Sequence, residues 1–150
     1  MSEDIRKMID KVKNFKQFVN EKYDYNNHTT AIIALFYNDK ILIIQRGSTA
    51  PWMPNKWSLV GGVVDDGESD EYAVKREVKE EIGLTPNNVK LIEKIKTDDI
   101  GYITYFTGTI HSNKIKLDYE NQNYKFIDKN QINDFDFVPY IKDFIFNLFI

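Results

Sequence analysis

The chain has 150 residues, 42% hydrophobic and 14% aromatic, enough apolar material for one domain with its own core. A formal charge of −3 provides no bulk positive field for a nucleic-acid backbone, so long nucleic acid is not an expected partner. The absence of cysteine excludes a disulfide framework, a thiolate metal site and a cysteine nucleophile.

No apolar run approaches the roughly 18 residues of a membrane span. Near the N-terminus apolar residues are interleaved with charges, unlike a signal peptide. The expectation is a cytoplasmic protein with neither disulfide nor membrane partner. Ile5, Met8, Ile9, Val12, Phe15, Phe18 and Val19 recur at three- and four-residue steps, which predicts an amphipathic helix over residues 3–20 capped by Ser2. Its stripe reads as core packing, with a homodimer surface left open, and Tyr23 to His28 reads as a polar loop.

Thr29–Tyr37 and Ile41–Gln45 are β-rich and separated by Asn38-Asp39-Lys40, the turn chemistry of a hairpin. Two prolines break regularity between Gly47 and Lys56, and Trp57–Val64 reads as extended around Gly61-Gly62. A helix is expected from about Ser69 to Ile82, stopped by Gly83. Val89–Ile95, Tyr102–Ile110 and Tyr124–Ile127 read as strands. Pro139 then opens a closing helix with Ile141, Phe144, Ile145, Leu148 and Phe149 on one face. The order α-ββ-α-βββ-α predicts one α+β fold, with 1–28 as N-terminal helix and loop and 29–150 as the main domain.

Chemistry concentrates in residues 61–84, GGVVDDGESDEYAVKREVKEEIGL, where eight acids face three bases for a net −5, leaving +2 for the rest. On a helix Glu77, Glu80 and Glu81 fall within an arc of roughly 100°, since i, i+3 and i+4 share a face. Such crowding raises carboxylate pKa values, and a hard divalent ion relieves it. Magnesium, which prefers oxygen ligands and keeps exchangeable waters, suits the cluster better than zinc, and manganese is the alternative ion.

Gly62, Glu68, Arg76, Glu77, Val78, Glu80, Glu81, Gly83 and Leu84 occupy every specified position of a pattern that resembles the Nudix box, G-x5-E-x7-R-E-U-x-E-E-x-G-U with U aliphatic. Its seven fixed residues should coincide by chance on the order of once in ten million chains of this length. Arg46, Trp57-x-x-x-Gly61-Gly62 and Glu120-x-x-x-Tyr124-x-Phe126 extend the resemblance to MutT-like members of the family, whereas Val60 stands where many relatives have proline.

The resemblance implies an α/β/α sandwich around a mixed sheet, to which the N-terminal helix is an addition. It also implies metal ligation by Glu77 and Glu81, by Glu80 directly or through water, and by the Gly61 carbonyl. Arg76 is expected to orient Glu68, Glu80 or Glu120 to act as the base, and Arg46 and Trp57 to contact substrate. His28 and His111 sit in expected loops without ligand spacing and receive no role. The expected reaction is hydrolysis of a phosphoanhydride in a nucleoside diphosphate linked to another group, with a nucleoside triphosphate, ordinary or oxidised, favoured. Nucleotide sugars, ADP-ribose and a non-catalytic nucleotide sensor are the competing readings. A prenyl diphosphate isomerase is disfavoured because it would be expected to use a cysteine.

Overall fold

Thr29–Tyr37 (β1) and Lys40–Arg46 (β2) carry the apolar runs AIIAL and ILII, buried on both strand faces as central strands require. Asn38 and Asp39 between them have φ of 48° and 65°, the left-handed pair of a two-residue hairpin turn, so Lys40 belongs to β2 and not to the turn. The computed structural model describes residues 2–5, 7 and 28–149. Residues 3–5 and 7 are helical, and the Ser2 hydroxyl accepts the Ile5 amide at 3.2 Å. The remainder of the expected 3–20 helix and most of the loop after it lie outside the described residues.

β1 and β2 pair directly only beside the turn, at Phe36↔Ile41 and Tyr37↔Lys40. Beyond it they splay, and the next segment fills the gap. Trp57–Ser58 (β3) pairs with β2, and Val60–Val63 (β4) pairs with β1, with Leu59 at the crossing. Asn87–Lys96 (β5) is antiparallel to Tyr102–Thr109 (β6), which runs parallel to β1 along eight residue pairs. Asn121–Ile127 (β7) covers the other side of β2. The result is a mixed sheet of seven strands.

Asp70–Ile82 (α1) packs on one face, where Val74, Val78 and Ile82 meet Ile33, Leu42 and Phe106. Lys142–Leu148 (α2) and a 3₁₀ turn, Lys129–Asp134, cover the other, where Ile132, Phe144 and Ile145 meet Ile32, Ile43 and Tyr105. This is the α+β fold expected from the element order, in the sandwich form that the resemblance implied. Among the described residues no helix is long and apolar enough to cross a membrane.

Three local expectations are corrected. The closing helix begins at Lys142, because Tyr140 has φ 71°, which no helical turn can contain. That conformation is held at both ends of the residue: the Tyr140 carbonyl accepts the Tyr105 hydroxyl at 2.7 Å, and the Tyr140 hydroxyl donates to Asp99 at 2.7 Å. β7 starts three residues before Tyr124, extended by its pairing with β2 through Asn121↔Arg46. The 3₁₀ turn, unforeseen, is opened by a capping box in which Asp128 and Gln131 satisfy each other's backbone amides.

Candidate active site

α1 is set at both ends by its own sequence. The Ser69 hydroxyl accepts the Tyr72 amide at 3.1 Å, Asp70 and Glu71 sit in the first turn, and Gly83 ends the helix at φ 73°. The apolar stripe that docks on the sheet fixes the rotation of the helix, so the neighbouring arc carrying Glu77 and Glu81 turns towards β4. In the last turn of the helix, the Glu81 carbonyl accepts the Asp118 amide at 3.0 Å, tying the segment before β7 to the same place.

Glu81 is buried. Its carboxylate accepts the Gly61 amide at 2.9 Å and the Asn121 side-chain amide at 3.4 Å. Burial, followed by the nearby Glu77 charge, pushes its pKa well above the ordinary carboxylate range. Burial also pushes Glu77 up to about 7, with the neighbouring Glu80 adding to the shift and Arg76 opposing it. Gly61 and Gly62 are required by close approach. A Cβ on Gly61 would lie 2.3 Å from the Ala31 carbonyl oxygen, and one on Gly62 would lie 2.4 Å from Glu77 Oε1.

Arg76 links the loop to the helix. Its Nε and Nη2 grip both oxygens of Glu68 at 2.7 and 2.9 Å, and Nη2 also donates to the Val63 carbonyl at 3.2 Å. Nη1 reaches Glu77 at 3.0 Å and the more exposed Glu80 at 3.2 Å. The guanidinium holds the Glu68 carboxyl below its usual range, chiefly by this hydrogen bonding. Among the described residues no three acidic or histidine side chains converge into a ready-made ion shell, and Arg76 occupies oxygens of Glu77 and Glu80. The side chains nevertheless suit a hard divalent ion: every candidate donor atom is oxygen, and two carboxylates, Glu77 and Glu81, are held where their negative charge is disfavoured.

A cleft of about 510 Å³ opens where β1 and β2 splay. Glu81, Gly61, Gly62, Arg46, Glu120 and Asn121 line one part, and the rest is largely aliphatic, with His28 buried among its lining residues. Among the described residues that line the cleft, Arg46 is the one lysine or arginine. Its Nε donates to the Trp52 carbonyl at 2.8 Å, and its guanidinium lies 5.3 Å from the Trp52 ring centre. Burial draws its pKa down, while the charges of Glu120 and Glu81 oppose that shift.

Of the residues singled out in the sequence, Gly61, Glu81, Arg46 and Glu120 line the cleft. Glu68, Arg76, Glu77 and Glu80 form the network beside it. Trp57 is placed elsewhere: it is 8% exposed, with its ring edge-on to Phe135 at 5.0 Å, in the core beneath α2. Trp52 lines the cleft instead. Asn121 and His28 also line the cleft, which sequence reasoning did not anticipate. The signal for His28 was alternation, since residues 28, 30 and 32 fall on one face at strand spacing.

A mixed sheet between helices, with a capped acidic helix set against a glycine pair, defines an α/β/α sandwich. The chain belongs to the Nudix hydrolase family: the NUDIX domain pattern matches residues 27–148. It is 42% identical over 59 residues to the 8-oxo-dGTP diphosphatase of Escherichia coli K12, a match covering 39% of this chain and 45% of that protein. It is 33% identical over 81 residues to nucleoside triphosphatase NudI of Escherichia fergusonii, covering 53% and 57%. The chain thus spans about half the length of these curated relatives. A NUDIX-family hydrolase from Clostridium perfringens shares the fold at a TM-score of 0.67 and 20% identity, covering 83% of this chain and 97% of that one.

Proposed function

We propose that the protein is a divalent-metal-dependent pyrophosphohydrolase that converts a nucleoside triphosphate, ordinary or oxidised, to the monophosphate and pyrophosphate. The observation that carries this reading is the composition of the cleft. Buried Glu81 and the Glu77 network sit at the phosphate-handling end, one arginine lines it, and an aliphatic space of mononucleotide scale continues from there. The relatives named for 8-oxo-dGTP and for nucleoside triphosphates point the same way.

In this reading Glu77, Glu81, Glu80 and the Gly61 carbonyl would hold magnesium, or manganese in its place, with 29–150 as the catalytic unit. Such an ion, when bound, neutralises phosphate oxygens and makes a bound water more acidic. Arg46, already oriented by Trp52, binds a phosphate oxygen and keeps the chain in register. Arg76 does not touch substrate; it fixes Glu68 and the 65–68 loop and spreads positive charge over Glu77 and Glu80. Water attacks phosphorus, the phosphoanhydride P–O bond breaks, and pyrophosphate leaves. The water proton passes to a carboxylate, for which Glu120 at the cleft wall is the first choice and Glu80 the second.

The test is a product-resolved panel: the four nucleoside triphosphates, 8-oxo-dGTP, a nucleotide sugar and ADP-ribose, each with magnesium, with manganese and with excess EDTA. Monophosphate and pyrophosphate from a triphosphate, lost in EDTA, is the expected result. Turnover confined to the sugar nucleotide or ADP-ribose, or undiminished by EDTA, overturns the reading.

A further inference from the structure

His28 stands at a fixed place in the cleft. Its carbonyl accepts the Tyr102 amide at 2.7 Å, which closes the first step of the β1–β6 ladder and sets the residue's position through the backbone. Its side chain, 5% exposed, shares a strand face with Thr30 and Ile32, and all three line the cleft. Ile32 pairs with Gly61, whose amide holds Glu81. Four residues of strand therefore separate the level of Glu81 from His28, roughly 13 Å at strand rise. That distance is comparable with the reach of a nucleotide from its inner phosphates to the far edge of its base.

The other walls of the cleft include Ile100, Ile103, Val138 and Ile141, which offer flat apolar contact and no hydrogen bonds from their side chains. A base seated among them would be recognised for its ring, not for its identity. Resting on the nucleotide reading above, we propose that His28 is a specificity-determining residue of this cleft, pairing with the hydrogen-bonding edge of the nucleobase. Burial lowers the imidazole pKa below its usual 6.5, so near neutral pH one ring nitrogen donates and the other accepts. Base edges present the same combination. In a slot of this polarity a base that leaves such a partner unmatched is rejected far more strongly than one differing by a methyl group.

The experiment compares kcat/KM for dATP, dGTP, dCTP and dTTP in the wild type, H28F and H28Q. The wild type should spread the four bases by about tenfold or more, and H28F, similar in shape but unable to pair, should compress that spread by about tenfold. A merely structural role would lower all four together and leave their ratios alone. H28Q keeps a donor and an acceptor at different reach and covers the case of a misfolded H28F; it should change the best-to-worst ratio by about threefold or more. Unchanged ratios in a folded variant overturn the assignment, as does a wild type that turns over all four bases within about threefold. A wild type inactive on every nucleotide overturns the parent reading as well, which separates the two failures.

Discussion

Without metal, the protein should lose stability as pH rises from 5 to 8, and Glu77→Gln should remove the part of that loss that Glu77 contributes. Burial foremost, with help from Glu80 and against the pull of Arg76, raises Glu77 from 4.5 to about 7. A folded-state pKa above the unfolded one means that the native protein binds the proton more tightly. The contribution is complete below about pH 4.5 and is gone once the pH has passed 7. At about 1.36 kcal/mol per pH unit this amounts to about 3 kcal/mol, for a carboxylate whose side chain is 17% exposed. Glu81 acts in the same direction. His28 acts oppositely, gaining stability as pH rises towards 6.5, but it is present in both proteins and cancels in their difference. Melting curves in EDTA at pH 5, 6, 7 and 8 measure the effect. At ~2–4 °C per kcal/mol, and with part of the effect already lost at pH 5, the gap between Glu77→Gln and the wild type should widen by roughly 5–10 °C across the range. Magnesium at pH 8 should raise the wild-type melting temperature more than that of the variant. Parallel curves, with a gap constant to about 2 °C, would refute the account of Glu77 as a buried charge awaiting a cation.

Gly62→Ala should lower kcat by about tenfold or more with the fold retained, because the new methyl takes the place of Glu77 Oε1; steady-state kinetics beside a circular dichroism spectrum would check it. Phe144→Asp should leave little folded protein, since Phe144 is buried with its ring 4.4 Å from that of Tyr105, and a cost of about 3 kcal/mol or more follows from an unpaired charge there; an unchanged melting temperature would contradict the packing of α2. Glu120→Gln should reduce kcat roughly 10²–10⁴-fold with little change in KM. A kcat within about threefold of the wild type would move the proton acceptor to Glu80.

What could be read from the sequence was local. Asn38-Asp39 needs left-handed backbone, Gly83 ends a helix, and Glu77, Glu80 and Glu81 share an arc whatever surrounds them. Failures came where a distant partner decides. Pro139 suits a first helical turn, but the hydrogen bonds that Tyr140 makes with Tyr105 and Asp99 hold the chain out of helix for two residues more. Trp57 opens β3 and Trp52 lies in the loop before it, and only the pairing of β3 with β2 decides which ring enters the core and which the cleft. Glu81 looks in sequence like one half of a surface Glu-Glu pair. Gly61 and Asn121, 20 and 40 residues away, make it a buried group while Glu80 stays out in solvent.

The site follows from one topological event, the divergence of β1 from β2 after two residue pairs. Had the hairpin zipped further, β3 and β4 would have found no edge between the two strands, and Gly61 would not lie beneath α1. Because it does not, the chain crosses at Leu59, and β4 carries its glycine pair along β1 to meet Glu77 and Glu81. Arg76 then secures the return path, bonded at once to the Val63 carbonyl of β4, to Glu68 in the loop and to two acids of the helix. Strand, loop and helix are therefore held at one guanidinium. A lysine at position 76 could keep a positive charge but could not make this set of directed contacts, because its three donors radiate from a single nitrogen. The fixed arginine of the pattern is thus explained by geometry more than by charge, and its loss should loosen the acidic loop and the acidic helix together.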